Sequence, residues 1–284
     1  MTLNVIKAFI KLFLNRLGYT IIRVTPCKTN SGMQQTSGAS TVDYNRIHVE
    51  RAKNYYENNF IGKRCLIVGC NTGKDCRYFL DFGAASVDGV DVVDDIGKDF
   101  QHPNVRYHKI SAEKMIGLND NEFDIVYCFA TMEHVPDIQA AFSEMARVTR
   151  PGGIMYCVSA PLWNSRNGHH KSNFFDDYPW IHLRLSVDEI IAYCHKNNIV
   201  DSSGSLPMRT HIEYMLNPAY FNKRPSSDYV TTCSSLKGME ILVNTLASDD
   251  NKILTPVIFD DLKQKGYTAD ELLAVVHNYV GVKR

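Results

Sequence analysis

The sequence predicts an α/β chain built on a parallel sheet, and three observations carry that prediction. The short unbroken apolar run at residues 65–68 reads as a strand buried on both faces, which is how strands of a parallel sheet read, and 87–90 and 123–129 read as further strands. A helical stretch, not a two-residue hairpin turn, connects the first two, as a parallel crossover requires. The first run ends in a glycine-bracketed turn that opens a helix, and the second ends in an acid, Asp91.

In that turn Gly69 and Gly73 flank Cys70, Asn71 and Thr72. Glycine takes positive φ without penalty and lets a ligand approach the backbone, and asparagine enters the left-handed region more readily than most residues. From Lys74 a helix buries Cys76, Phe79 and Leu80, and Gly83 stands where a C-terminal cap belongs. The resulting βαβ unit places Asp91 eighteen positions after Gly73, where a carboxylate accepts hydrogen bonds from both hydroxyls of a ribose. A nucleoside-type cofactor is therefore expected. Lys74 follows Gly73 directly, so the third glycine of the dinucleotide pattern is missing.

The other elements follow in order. Asp43 caps a helix over 44–58 with Tyr44, Ile47 and Tyr55 on one face. Residues 105–108 form the third strand, leaving Ser111 and Ala112 at its carboxyl end; 123–129 form the fourth, followed by Glu133 and His134. Asp137 caps a helix carrying Ile138, Ala141, Phe142, Met145 and Val148, and 154–158 form the fifth strand. Ser186 and Glu189 make a capping box. Ile199 and Val200 begin a sixth strand, 240–246 form a seventh, and Thr268 with Glu271 opens a final helix carrying Leu272, Val276 and Tyr279. Ligands of open parallel sheets sit beyond the carboxyl ends of the strands, which gathers Gly69, Asp91, Ala112 and Phe129 on one rim.

These blocks resemble, in order, those of the class I S-adenosylmethionine-dependent methyltransferases of the type 11 group. LIVGCNTG at 66–73 resembles the first motif, GVD at 89–91 the ribose-binding acid, and SAEKM at 111–115 the adenine-binding segment. FDIVYCFATMEHVPD at 123–137 resembles the fourth strand with its active-site loop, and RVTRPGG at 147–153 the turn into the fifth strand. The resemblance covers residues 64–160 and implies a Rossmann-like, seven-stranded, mostly parallel sheet with helices on both faces. It implies S-adenosylmethionine as cofactor, held by Gly69, Cys70, Asn71, Gly73, Asp91, Val92, Ser111, Ala112 and Phe129. The departures are Ile67 in place of an acid, Asn71 in place of a middle glycine, and Ser111 where an acid often stands. Metal-binding relatives carry an acid-rich version of the loop after the fourth strand; Ala130 stands where their first acid would be, so no metal is expected.

Equal numbers of acidic and basic residues, 31 each, leave no bulk attraction to nucleic acid, and no such partner is expected. The eight cysteines include no CxxC pair and read as buried thiols of a cytoplasmic protein. Residues 1–24 read as a basic amphipathic helix: Lys7, Lys11, Arg16 and Arg23 accompany Leu3, Ile6, Phe9, Ile10, Phe13, Leu14 and Leu17, with no acid. Two readings stay open for it, peripheral contact with the inner face of a membrane and packing on protein. Residues 25–42 form a polar linker, and 43–250 the catalytic domain, with cap insertions at 161–185 and 206–237 and a C-terminal helical extension at 251–284 that packs on the domain or joins a homodimer.

A histidine can take a proton from a hydroxyl near neutral pH, which makes His134 a candidate base, with His169 and His170 on the 161–185 segment as competitors. That segment also holds Trp163, Tyr178 and Trp180, a candidate stacking platform. It is similar to segments of methyltransferases of surface-polysaccharide and lipopolysaccharide modification. The expected reaction is methyl transfer to a hydroxyl of a sugar or surface glycan precursor. The alternatives are a quinone or other small aromatic hydroxyl, and a non-catalytic scaffold.

Overall fold

The computed structural model describes residues 43–56, 59–200 and 208–284; the arm at 1–24 and the linker at 25–42 lie outside the described residues. The chain divides into two units at Arg51 and Ala52, and the sheet and the site belong to the second. Helix α1 (Tyr44–Asn54) opens on Asp43, whose Oδ1 accepts the N–H of Arg46 at 3.0 Å, satisfying one of the amides a helix start leaves free.

The second unit is a seven-stranded sheet with helices: β1 (Arg64–Val68), β2 (Ser86–Asp91), β3 (Val105–Lys109), β4 (Phe123–Phe129), β5 (Thr149–Ser159), β6 (Met239–Ser248) and β7 (Ala274–Lys283), in the order β3-β2-β1-β4-β5-β7-β6. The first five pair in parallel; β7 runs antiparallel to both β5 and β6. Strand order reverses between β1 and β4, so the carboxyl ends of those strands form the switch point at which open α/β sheets bind ligands.

Both faces of the sheet are covered. On one, α3 (Ile138–Val148) presents Ile138, Ala141, Phe142 and Met145 to a core containing Leu66, Val68, Val126, Cys128, Met155 and Tyr279. Asp137 caps it through the N–H of Ala140 at 3.0 Å. On the other, α2 (Cys76–Asp81) contributes Phe79, stacked on Phe60 at 5.2 Å; Phe79 meets Tyr127 edge-on, and Tyr127 stacks on Tyr156 at 5.6 Å. The apolar spacing produces both faces: every residue of the RCLIV and FDIVYCF strands except their ends is buried, so each strand supplies side chains to both.

The C-terminal region corrects the sequence reading. Residues 251–284 are a helical extension only in their first half: the helices Pro256–Gln264 and Ala269–Leu273, the second capped by Thr268, are followed by β7, inserted between β5 and β6. LLAVVHNYV, residues 272–280, satisfies helical spacing at Leu272, Val276 and Tyr279, but its β-branched residues favour an extended chain, and backbone pairing on both sides of residues 274–283 decides for strand. The strand expected at 240–246 is β6, and Ile199 and Val200 lie outside any strand. Residues 161–185 and 206–237 carry the short helices Ser172–Phe175, Ile181–Arg184, Met208–Leu216 and Ser226–Ser234. The described cysteines are free and buried. Among the described residues no helix is long and apolar enough to cross a membrane.

Candidate active site

The rim at the carboxyl ends of β1 to β4 is held together by the glycine turn. Gly69, Asn71 and Gly73 all take positive φ, at 80°, 47° and 88°. A Cβ on Gly69 would stand 2.0 Å from Thr131 Oγ1, and one on Gly73 would stand 2.2 Å from the hydroxyl of Tyr107, so both positions exclude side chains by space as well as by conformation. Asp91 orders the turn: one carboxylate oxygen accepts Asn71 N–H at 2.8 Å and the other accepts Val92 N–H at 2.7 Å. The turn is also stitched to the loop after β2, through Gly97 N–H to Asn71 O at 3.0 Å and Asp99 N–H to Thr72 O at 2.9 Å.

These residues fit a nucleoside cofactor. A carboxylate offers about four lone-pair positions, so Asp91 keeps acceptor capacity for a ribose beyond the backbone amides it holds. Val92 beside it is 64% exposed, an apolar side chain standing in solvent where an adenine can pack. Ser111 closes the third strand end by donating to Glu113 Oε2 at 2.9 Å, and the other oxygen of Glu113 accepts Asp137 N–H at 2.8 Å, tying Ser111 and Ala112 to the start of α3. Phe129 ends β4 on the same rim. Burial of Cys70 pushes its thiol pKa up, so this residue shapes the turn and is no nucleophile.

After β4, the short helical turn Met132–His134 follows Ala130, which takes a positive φ of 49°. Glu133 is buried, and no side chain among the described residues hydrogen-bonds its carboxylate oxygens. Burial pushes its carboxyl up to about 8, against a smaller pull from the backbone amides of Glu133 and Ala160. His134 Nδ1 lies 2.6 Å from the carbonyl of Tyr220, which can only accept. Nδ1 therefore carries the proton and Nε2 a lone pair. Burial lowers the His134 pKa, opposed by that hydrogen bond and by the charge of Asp91.

The 161–185 segment delivers only part of what the sequence offered. His170 meets His134 edge-on, with ring centres 5.0 Å apart, and its Nε2 lies 3.3 Å from the carbonyl of Pro161, leaving Nδ1 unprotonated. His169 packs instead on Phe175 and His182, and its Nδ1 accepts Lys171 N–H at 3.0 Å. Burial lowers both imidazoles to about 4. Of the expected stacking platform, only Trp163 stands near this cluster, against Phe221, which itself touches His134 and His170. Trp180 is core, packed with Leu262 and Leu272 and donating to Asn164 O at 3.1 Å. Tyr178 pairs with Tyr193.

Sequence reasoning missed Asn222. Its amide donates to Met132 O at 2.7 Å and Val135 O at 2.9 Å, and its backbone N–H donates to Glu133 O at 3.0 Å, so it clamps the turn that carries Glu133 and His134. Nothing local marks it, because its partners lie some 90 positions earlier in the chain.

Residues 66–157 match the family model described as a methyltransferase domain. A ubiquinone biosynthesis O-methyltransferase from Maricaulis maris is 32% identical over 109 residues, covering 36% of this chain and 42% of that protein. One of the same name from Neisseria meningitidis serogroup A is 31% identical over 142 residues, 48% of this chain and 54% of that protein. The chain thus spans about half the length of these curated relatives. An S-adenosylmethionine dependent methyltransferase from Mesorhizobium loti aligns with a TM-score of 0.49 at 13% identity, covering 79% of this chain and 93% of that one. The glycine turn, Asp91 and the Glu133–His134 turn all lie within the segment that matches the methyltransferase domain.

Proposed function

We propose that this chain methylates an acceptor hydroxyl, and that the acceptor is a quinone precursor or another small aromatic hydroxyl. The observation that carries this reading is the wall beside the His134 lone pair: His134, His170 and Trp163 all pack on Phe221, and Tyr214 joins it at 6.0 Å. Aromatic rings stack on planar rings and gain about 0.5–1.5 kcal/mol per pair beyond area burial. The names of the curated relatives support the same class.

Bound S-adenosylmethionine supplies an electrophilic methyl group. The chain's own work is to hold that donor by the glycine turn and Asp91, and to set an acceptor oxygen in line with it, since orientation alone is worth effective molarities of roughly 10⁵–10⁸ M. An acceptor hydroxyl facing the cluster meets two imidazole lone pairs, on His134 Nε2 and His170 Nδ1, so its proton has a place to go as the new bond forms. A phenolic hydroxyl, with a pKa near 10, gives that proton up more readily than a sugar hydroxyl.

The test is incubation with S-adenosylmethionine labelled in its methyl group, using two acceptor panels, polyprenylated or simple catechols and nucleotide-sugars. Label in the catechol panel supports the reading. Label confined to the sugars returns the sugar or surface glycan precursor of the sequence reading, and donor binding with no transfer to either panel favours a scaffold.

A further inference from the structure

We propose that Lys171 and Lys223 bind an acidic group of the acceptor, a carboxylate or a phosphate, so that the acceptor is an aromatic anion. Lys171 Nζ stands 5.1 Å from the ring centre of Tyr214, and Lys223 Nζ stands 4.9 Å from that of Trp163. Both rings pack on Phe221, at 6.0 and 5.4 Å, and Phe221 also touches His134 and His170. One aromatic wall thus carries two ammonium groups and two imidazole lone pairs. The assignment rests on the reading of that wall as the acceptor site.

Three features point to an anion. First, neither ammonium pairs with a carboxylate among the described residues. The acids nearest to them in sequence, Asp176 and Asp228, are held instead by Arg166 at 3.6 Å and Arg224 at 3.5 Å. An ammonium has three N–H donors; Lys223 gives one to the carbonyl of Leu216 at 2.8 Å and keeps the rest. Burial lowers its pKa, a desolvation that a bound anion would offset. Second, both lysines are delivered by costly backbone. Lys223 has a φ of 55° and His170, directly before Lys171, a φ of 59°, a region that residues other than glycine and asparagine rarely enter. Third, both charges reach the cluster. After burial and the charge of His134, that of Lys171 lowers the His170 imidazole; burial, His169 and then Lys223 lower His182, which meets Trp163 edge-on at 4.7 Å. Glu133, whose carboxyl is pushed up to about 8 by burial, is mostly protonated at neutral pH and offers little compensating charge.

Both lysines lie outside residues 66–157, the segment that matches the methyltransferase domain, so this preference belongs to the chain's own acceptor side. An ammonium over an aromatic face is held weakly and can turn to an anion without leaving the wall. A planar acid then stacks on the aromatic rings while its acidic group makes charge-assisted hydrogen bonds to the lysines. The same two charges favour the anion that forms as the acceptor hydroxyl loses its proton. A neutral acceptor leaves both ammonium groups without a counterion.

The experiment is calorimetric titration of the full chain, saturated with S-adenosylhomocysteine, with 3,4-dihydroxybenzoate, its methyl ester and 3,4-dihydroxybenzyl phosphate. At least one anion should bind about 10- to 100-fold more tightly than the ester, and the tighter of the two names the acidic group. Lys171→Met and Lys223→Met should each cut that ratio by about 3- to 10-fold. Lys171→Arg should keep it, and Lys263→Met, which removes the same charge from an exposed position on another helix, should leave it unchanged. Lys171→Met keeps the apolar stem and breaks no ion pair among the described residues, so it tests the charge alone. An ester that binds as tightly as both anions, a preference that survives both methionine variants in folded protein, or no binding of any of the three overturns the proposal. Labelled methyl transfer to the same compounds separates the two readings. Transfer to the ester with no anion preference removes the acidic group and keeps the methylated hydroxyl; anion preference without transfer does the reverse.

Discussion

Asp91 Oδ2 accepts the backbone N–H of Asn71 at 2.8 Å, joining the end of β2 to the tip of the glycine turn. One carboxylate thus shapes the glycine turn, and in the proposed function it also faces the ribose. Asp91→Ala should weaken binding of S-adenosylmethionine and S-adenosylhomocysteine by about 10- to 100-fold, each factor of ten being about 1.4 kcal/mol. Asp91→Asn, which keeps one acceptor, should lose less. Calorimetry that finds the alanine variant binding like wild type would remove Asp91 from the cofactor site.

Gly69 and Thr131 make a second, steric link, between the turn after β1 and the loop after β4. Gly69→Ala places a methyl inside the van der Waals radius of Thr131 Oγ1 and puts an L-residue at φ 80°. The conformational part costs about 1–2 kcal/mol and the overpacking another 1–3 kcal/mol. Adding Thr131→Ala should recover the packing part only. Denaturation midpoints of the single and double variants check this; full recovery in the double variant would mean that the positive φ carries no cost.

Asn222→Ala should remove the hydrogen bonds to Met132 O and Val135 O and leave those carbonyls unsatisfied, at about 1–3 kcal/mol each if they stay dry. The turn bearing Glu133 and His134 should loosen, so the turnover rate should fall while S-adenosylmethionine affinity, set by the Asp91 side of the rim, changes little. Equal losses in both would show that the clamp supports the whole domain and not the turn.

The sheet's first half was legible because its signals are local. The glycine turn, Asp91, the strand at 123–129, the Asp137 cap and the Ser186–Glu189 capping box each show in a few consecutive residues, and each forms. β7 was not legible, since a short run such as AVVHNYV fits either period and only pairing with β5 and β6 settles it. The same holds for the site. His134 announced itself by following a strand on the rim, whereas the meeting of His170 with His134 and the Asn222 clamp join segments separated by 36 and some 90 positions. Trp180 misled for the opposite reason: tryptophan in a loop suggests a binding platform, but this one fills a core with Leu262 and Leu272.

His277 makes the acid response of the fold testable. It is fully buried on β7, against Phe142 and Tyr229; its Nε2–H donates to Asn244 Oδ1 at 2.8 Å, and Nδ1 faces no partner among the described residues. Protonating Nδ1 would bury an unpaired charge, so burial lowers the pKa to about 4. In the unfolded chain this histidine titrates near 6.5. Between those values the unfolded state binds the proton and the native state does not, so stability falls as pH falls from about 6.5 to 4, by up to about 3 kcal/mol from this residue alone. His277→Gln keeps a donor for Asn244 and cannot titrate. Its stability deficit at pH 7.5 should therefore shrink, or reverse, by pH 4.5, while His169 and His182, lowered by burial to about 4 and about 3, maintain a residual acid slope. Urea unfolding at the two pH values measures the difference, and a constant gap between wild type and variant across that range would show that His277 takes up its proton equally in both states.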